Sequence, residues 1–408
     1  MKTILMIGNG FDLAHNLPTS YNDFLKFCKI INEAYYYQRI EVAVNNLERY
    51  FGKYETIKKR LLNEFYSNTL CENASCKKST DKISDRSIRE FYSMIHKNIW
   101  LKYFTSLEKS NCHKENWVDF EAEIFRVINY MENMTAIGEV PYINELILQL
   151  KSINAEKGYA DDSAKVLEID LQKLIRALEI YLTEFVEKIP LDNSHKKDYI
   201  ENIHPDFLLS FNYTDIYTKL YDKKSSVTCE YIHGFAKSNN TESTNNMVLG
   251  ISESLPDDRK NTNLQYIAFK KYYQRIYKKN GNNYLIWLDK LENDIEKTKE
   301  HNSRLREYNK SLFSGSGPTK LTQWSQMHEL LEIPQYELYI MGHSLDITDG
   351  DIIKKFLCCD NIITTIYYLN NGLDLKEKIS NLVRIIGQEE LISRTGNLRT
   401  IKFEPIPE

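Results

Sequence analysis

Apolar positions along this chain fall into alternating textures. Thr3–Ile7 is an apolar run of the kind found in a strand covered on both faces, as in a parallel sheet, and it stops at Gly8-Asn9-Gly10. After Pro18, Thr19 or Ser20 can cap a helix that carries Phe24, Phe27 and Ile31 on one face. From residue 35 to 204 the periods are helical. The clearest helix holds Leu167, Leu171, Leu174, Leu178, Tyr181 and Phe185, spaced 4, 3, 4, 3, 4, which is the stripe of a packed core or coiled-coil seam. The polar stretch Cys71–Arg86 reads as a loop between helices. Short apolar runs return at Phe207–Phe211, Thr228–Ile232 and Met247–Ile251, each bounded by polar residues, and predict strands. A second helical block covers 262–334 and contains the linker-like Ser314-Gly315-Ser316-Gly317-Pro318. The last section alternates again, with strands at Glu337–Met341, Thr364–Leu369 and Leu398–Phe403 and helices near 349–357 and 375–386.

This order predicts an α/β protein with a Rossmann-like parallel sheet. Its core is assembled from 1–34, 205–261 and 335–408 and interrupted by all-helical insertions at 35–204 and 262–334. Composition agrees. Only 15 glycines and nine prolines occur, where average usage would give about 28 glycines, so tight turns are few. Lys and Arg total 53 against 57 Asp and Glu, a net charge of −4 that offers no global field for phosphate and does not fit a nucleic-acid or membrane-surface binder. Seven cysteines without a CxxC pair exclude a zinc ribbon and read as reduced thiols. The initial apolar run is too short for a signal peptide and no stretch is long enough to span a bilayer, which points to the cytoplasm.

Open parallel sheets bind ligands at the carboxyl ends of their strands. Five predicted strand ends carry small or reactive side chains: Gly8-Asn9-Gly10-Phe11-Asp12, Asn212-Tyr213-Thr214-Asp215, His233-Gly234, Gly342-His343-Ser344-Leu345-Asp346 and Asn370-Asn371-Gly372. The coincidence of five marks a site. The glycine turn at 8–10 is either structural or a close approach to a diphosphate through free N–H groups, and Leu13 stands where a dinucleotide fingerprint has its third glycine. Asp12 is either a capping residue or a ligand contact. His233, at a strand end and followed by glycine, is a candidate base. Lys270–Lys279 places five positive charges among aromatics, which suits an anionic ligand or a solvated helix with buried aromatics. Lys270 is a candidate for a nucleotide phosphate.

Several segments together resemble the bacteriophage abortive-infection AbiH family: Ile7-Gly8-Asn9-Gly10-Phe11-Asp12-Leu13-Ala14, Leu17-Pro18-Thr19-Ser20-Tyr21, Trp117-Val118-Asp119-Phe120-Glu121, Ser210-Phe211-Asn212-Tyr213-Thr214, Ile232-His233-Gly234 and Gly342-His343-Ser344-Leu345. Helical positions i and i+2 face about 200° apart, so Asp119 and Glu121 cannot both enter one site from a regular helix. The resemblance selects Glu121. More distantly, the core is similar to the sirtuin-like NAD-binding fold. By position, Gly8 and Gly10 then match its glycine turn, Asn212 its catalytic asparagine, His233 its catalytic histidine, and Gly342 and Ser344 its ribose- or phosphate-contacting segment. Asp12 replaces the expected hydroxyl, and no four-cysteine zinc module exists, so protein deacetylation does not fit.

The resemblance implies a phage-defence effector that hydrolyses NAD(P), or a related nucleotide, at the N-glycosidic bond. Catalytic residues are expected at His233 and Asn212, with Gly8, Asn9, Gly10, Phe11, Asp12, Gly342, His343, Ser344 and Glu121 at the nucleotide. The chemistry is compatible: the sugar becomes oxocarbenium-like, the pyridinium leaves neutral, and what is needed is a base with a polar group to orient water and ribose. NAD(P) is expected as substrate or ligand, with no metal. A homo-oligomer and a phage-derived or host trigger are further expectations. The alternatives are a nucleotide-sensing module without hydrolysis and a nucleic-acid-directed toxin.

Overall fold

A computed structural model describes residues 2–69, 83–109, 119–133, 143–157, 163–252, 264–313 and 329–407. Trp117, Val118, most of the expected 71–86 loop and the 314–318 linker lie outside the described residues.

Six strands form one sheet: β1 (Lys2–Ile7), β2 (Phe207–Ser210), β3 (Thr228–Tyr231), β4 (Tyr336–Met341), β5 (Ile362–Tyr368) and β6 (Ile401–Pro405). Their order is β3-β2-β1-β4-β5-β6, and every neighbouring pair is parallel. Numbered along the chain, this is the order of the doubly wound nucleotide-binding sheet, with its switch point between the carboxyl ends of β1 and β4. The six were expected within three residues at either end. β1 is apolar on both faces because both faces are covered. Leu5 and Ile7 enter one core with Phe24, Phe27 and Tyr181, whereas Ile4 and Met6 enter the other with Leu338 and Phe356.

Every described secondary-structure element between β1 and β2 is a helix. The stripe from Leu167 to Phe185 is buried along its length, on a helix Ser163–Tyr181 that runs on into a π turn, Leu182–Val186. It packs through Tyr181 and Phe185 against Phe27 of helix Tyr21–Tyr35, whose first turn is closed by a Ser20/Asp23 capping box. Among the described residues no helix is long and apolar enough to cross a membrane.

The expected strand Met247–Ile251 is not one; only Ile251 forms an isolated bridge, to Lys270. Met247–Leu249 is nonetheless buried, because other groups satisfy its backbone. Val248 N–H donates to the His233 carbonyl, Tyr213 Oη donates to the Val248 carbonyl, and the Gln274 amide bonds both N–H and C=O of Leu249. Helix Gln388–Thr395, which buries Leu391 and Arg394, was not anticipated, since eight largely polar residues carry too short a period to read.

At the switch point the two central turns are pressed together. The register Ile7↔Ser210 and Ile7↔Met341 puts Gly8, Phe211 and Gly342 at one level. A β-carbon on Gly8 or Gly10 would stand 2.8 Å from Gly342 backbone atoms. Gly342, at φ +63°, would put one 2.1 Å from Phe11 N. Gly372 has a similar φ, +70°, but open space around it. Gly342→Ala is therefore expected to cost more than about 2 kcal/mol, strain and overlap together, and Gly372→Ala only about 1 kcal/mol. Urea denaturation of both variants checks the difference; equal costs would mean that the contact between the turns is not tight.

Candidate functional site

A cavity of about 460 Å³ opens at this switch point. Its wall holds Gly8, Asn9, Gly10, Phe11 and Asp12 from the end of β1, Asn212 and Thr214 after β2, His233 after β3, and Gly342, His343 and Ser344 after β4. Glu121, near the start of helix Phe120–Asn133, completes it with Asp349. The fifth expected strand end does not join. Asn371 Oδ1 instead accepts N–H groups of Leu373 and Asp374 and starts the next helix.

His233 is 5% exposed and Nε2 lies 3.1 Å from Asp349 Oδ1. Burial lowers its pKa to about 4, against the opposing pull of Asp349, so the ring is neutral at pH 7. A neutral ring facing a carboxylate carries its proton on Nε2. Nδ1 then holds a lone pair, and it has no hydrogen-bond partner. Asp349 is itself held well below the usual carboxylate range: burial works against ionisation, and the Lys271 ammonium, followed by His233, overcomes it. His343 is fixed differently. Its Nδ1 accepts the Leu345 N–H at 2.9 Å, leaving Nε2–H to face Asp349 Oδ2 at 3.6 Å.

Lys271 is 2% exposed and its ammonium is shared between Asp349 Oδ1 at 2.9 Å and Glu121 Oε2 at 2.7 Å. The two carboxylates keep the lysine charged against its burial. Glu121 nevertheless rises to about 7, chiefly by burial, because its one cation is shared. Asp12, 1% exposed, also rises to about 7 by burial, although Thr214 Oγ1 and Asn212 Nδ2, the latter at 2.9 Å, donate to it. That bond orients the Asn212 amide, whose Oδ1 is buried without a partner. Asp12 thus acts neither as a cap nor as a free carboxylate; it holds Asn212.

Three expectations need correcting. The glycine turn does not present a row of free amides: Gly8 N–H donates to Met341 O, Gly10 N–H to Gly342 O at 2.8 Å, and Phe11 N–H to Gly8 O. Its glycines serve the contact between turns, and Phe11 packs its ring on His15 at 4.6 Å. Lys270 does not line the cavity and lies 3.6 Å from Glu132. The helix Lys271–Lys278 buries Lys271, Gln274 and Arg275 and exposes Ile276 and Tyr277, the reverse of a solvated helix with buried aromatics. Buried partners explain the inversion: Arg275 pairs with Asp351 at 2.6 Å, and Lys278 donates to the Met247 carbonyl.

Asp349 and Lys271 escaped the sequence reading. Asp349 stands just before helix Gly350–Leu357, where an acid reads as a start signal, and Lys271 is one of several lysines in a row. The available cue for Asp349 was its place seven residues beyond Gly342, on the same strand end.

Fold and cavity define a doubly wound α/β protein with an acid- and histidine-lined site at its switch point. A family model described as Bacteriophage abortive infection AbiH matches residues 4–368, and the chain belongs to that family, whose name places it in phage abortive infection. No curated protein and no solved structure shows a significant match to it.

Removing the shared cation should leave two buried carboxyl groups uncompensated. Lys271→Met is expected to lose about 3–5 kcal/mol of stability, and Glu121→Gln added to it should return part of that loss. Urea denaturation of the single and double variants measures the coupling; strictly additive losses would show that the two side chains do not interact.

Proposed function

We propose that this protein hydrolyses the N-glycosidic bond of NAD(P) or a related nucleotide as the effector step of an abortive-infection response. The observation that carries the reading is the His233–Asp349 pair: a neutral imidazole, oriented by a carboxylate, with an unpartnered Nδ1 on the wall that also holds the unpartnered Asn212 Oδ1. This is the geometry of a general base, made a weaker base than an ordinary histidine by the burial that lowers its pKa. Water gives a proton to His233 Nδ1 as its oxygen bonds C1′ of the ribose. The C1′–N bond breaks with its electron pair going to the ring nitrogen, so a pyridinium leaves as neutral nicotinamide. ADP-ribose, or its phosphorylated form, keeps the new hydroxyl. Asp349 stabilises the imidazolium formed at His233, which then returns the proton to solvent. Asn212 Oδ1 accepts from a ribose hydroxyl or from the water, and Asp12 keeps that oxygen in place. The carboxyl groups around the cavity favour the positive charge that develops on the sugar.

A second reading has an observation of its own. Glu121 and Lys271 come from the two long connections, between β1 and β2 and between β3 and β4, and pair with each other, while Lys271 also pairs with Asp349. A ligand displacing Asp349 would move both, as a nucleotide-sensing module needs.

Purified protein incubated with NAD and with NADP, followed by mass spectrometry, distinguishes the two. Nicotinamide release is expected from the wild type, about 100-fold or more slower in His233→Ala and Asn212→Ala. Binding without release would favour the sensor, and unchanged release in both variants would remove these residues from the chemistry. The base works only when neutral and its folded pKa is about 4. The acid limb of kcat/KM should therefore lie near pH 4, where His233 gains its proton, and not at the ordinary histidine value near 6.5.

A further inference from the structure

Three features of the cavity wall concern what the substrate must bring, and all three oppose phosphate. The first is the nature of the groups still seeking a partner. Among the described wall residues, the buried side-chain atoms without one are Asn212 Oδ1 and His233 Nδ1, on residues 4% and 5% exposed. Both are acceptors in the orientations that Asp12 and Asp349 impose. They are satisfied by hydroxyls or N–H groups and gain nothing from phosphate oxygens, which are acceptors themselves.

The second feature is charge. The wall carries six carboxyl side chains, Asp12, Asp119, Glu121, Asp346, Asp349 and Asp374, against one ammonium, Lys378. That ammonium is already engaged, donating to the His343 carbonyl at 2.7 Å and pairing with Asp374 at 3.2 Å. Lys271 is enclosed between Glu121 and Asp349. A diphosphate entering here would meet like charge, whereas a cationic base would meet opposite charge.

The third feature is the backbone. The turn that cradles a diphosphate in other doubly wound sheets spends the N–H groups of Gly8, Gly10 and Phe11 on Met341, Gly342 and Gly8 carbonyls.

We propose that the site recognises cationic N-ribosides through their ribose hydroxyls and positively charged base, and holds no diphosphate. Its substrate class then includes phosphate-free ribosides such as nicotinamide riboside as well as NAD, whose diphosphate would extend away from the inner wall. This rests on the hydrolase reading for its chemistry, but its recognition half is tested by binding alone.

The experiment titrates the full-length protein by calorimetry with nicotinamide riboside, NAD and inorganic pyrophosphate, with nicotinamide release measured in the same samples. Nicotinamide riboside is expected to bind within about tenfold of NAD, with pyrophosphate unable to displace it at millimolar concentration. Asn212→Leu should weaken riboside and NAD by the same factor, since the lost acceptor serves the part they share. A preference for NAD beyond about 100-fold, displacement by pyrophosphate, or no binding of the riboside overturns the proposal. Equal binding of both without nicotinamide release would defeat hydrolysis while supporting this recognition. Release from NAD together with no binding of the riboside would do the opposite.

Discussion

A single buried ammonium holds this site together. Lys271 Nζ lies within 3 Å of carboxylates that belong to separate parts of the chain, Glu121 in the β1–β2 connection and Asp349 after β4. Enclosing an ion costs several kcal/mol unless its geometry and partners are good, and here each member compensates the others. Without the lysine, Asp349 would be driven toward its protonated form by the burial that it now resists. A protonated Asp349 would accept less strongly from His233, and the tautomer that leaves Nδ1 open would lose its support. The tautomer of the histidine thus depends on a residue that does not line the cavity.

The second constraint is the close contact at the switch point. Gly8, Gly10 and Gly342 let the turns after β1 and β4 meet backbone to backbone, which brings Asp12 and His343 into one wall. The same contact takes the Gly10 N–H, which donates to the Gly342 carbonyl, while Gly8 and Phe11 donate to Met341 and Gly8 carbonyls. For Gly8, Gly10 and Phe11, the backbone of the turns takes the N–H groups that a phosphate would need. The wall also holds the unpartnered Asn212 Oδ1 and His233 Nδ1 among six carboxyl side chains.

Much of this was legible in the residues. The strands were readable because a strand buried on both faces must be apolar along its length, and the long helix Ser163–Tyr181 because its stripe must face a core. Met247–Ile251 misled for the same reason: burial makes a segment apolar whatever satisfies its backbone, and here the Gln274 side chain takes part of the role of a neighbouring strand. The glycine, Asn212 and His233 strand ends could be picked out because open parallel sheets bind ligands at the carboxyl ends of their strands, and the structure brings these ends to one cavity wall. Asp349 and Lys271 were not, since nothing local distinguishes a buried ion from a solvated one.

By itself the sequence determined most of the alternation of strands and helices and marked the four strand ends that converge along with a fifth that does not, because periodicity and turn chemistry act over a few residues. Only the tertiary structure decided which lysine faces the site, which nitrogen of His233 is open, and whether the turn's amides are free. Those properties depend on partners far away in the chain and on the loss of water around them. Asp12 and Asn212 are 200 residues apart, and the hydrogen bond between them exists only in the folded chain.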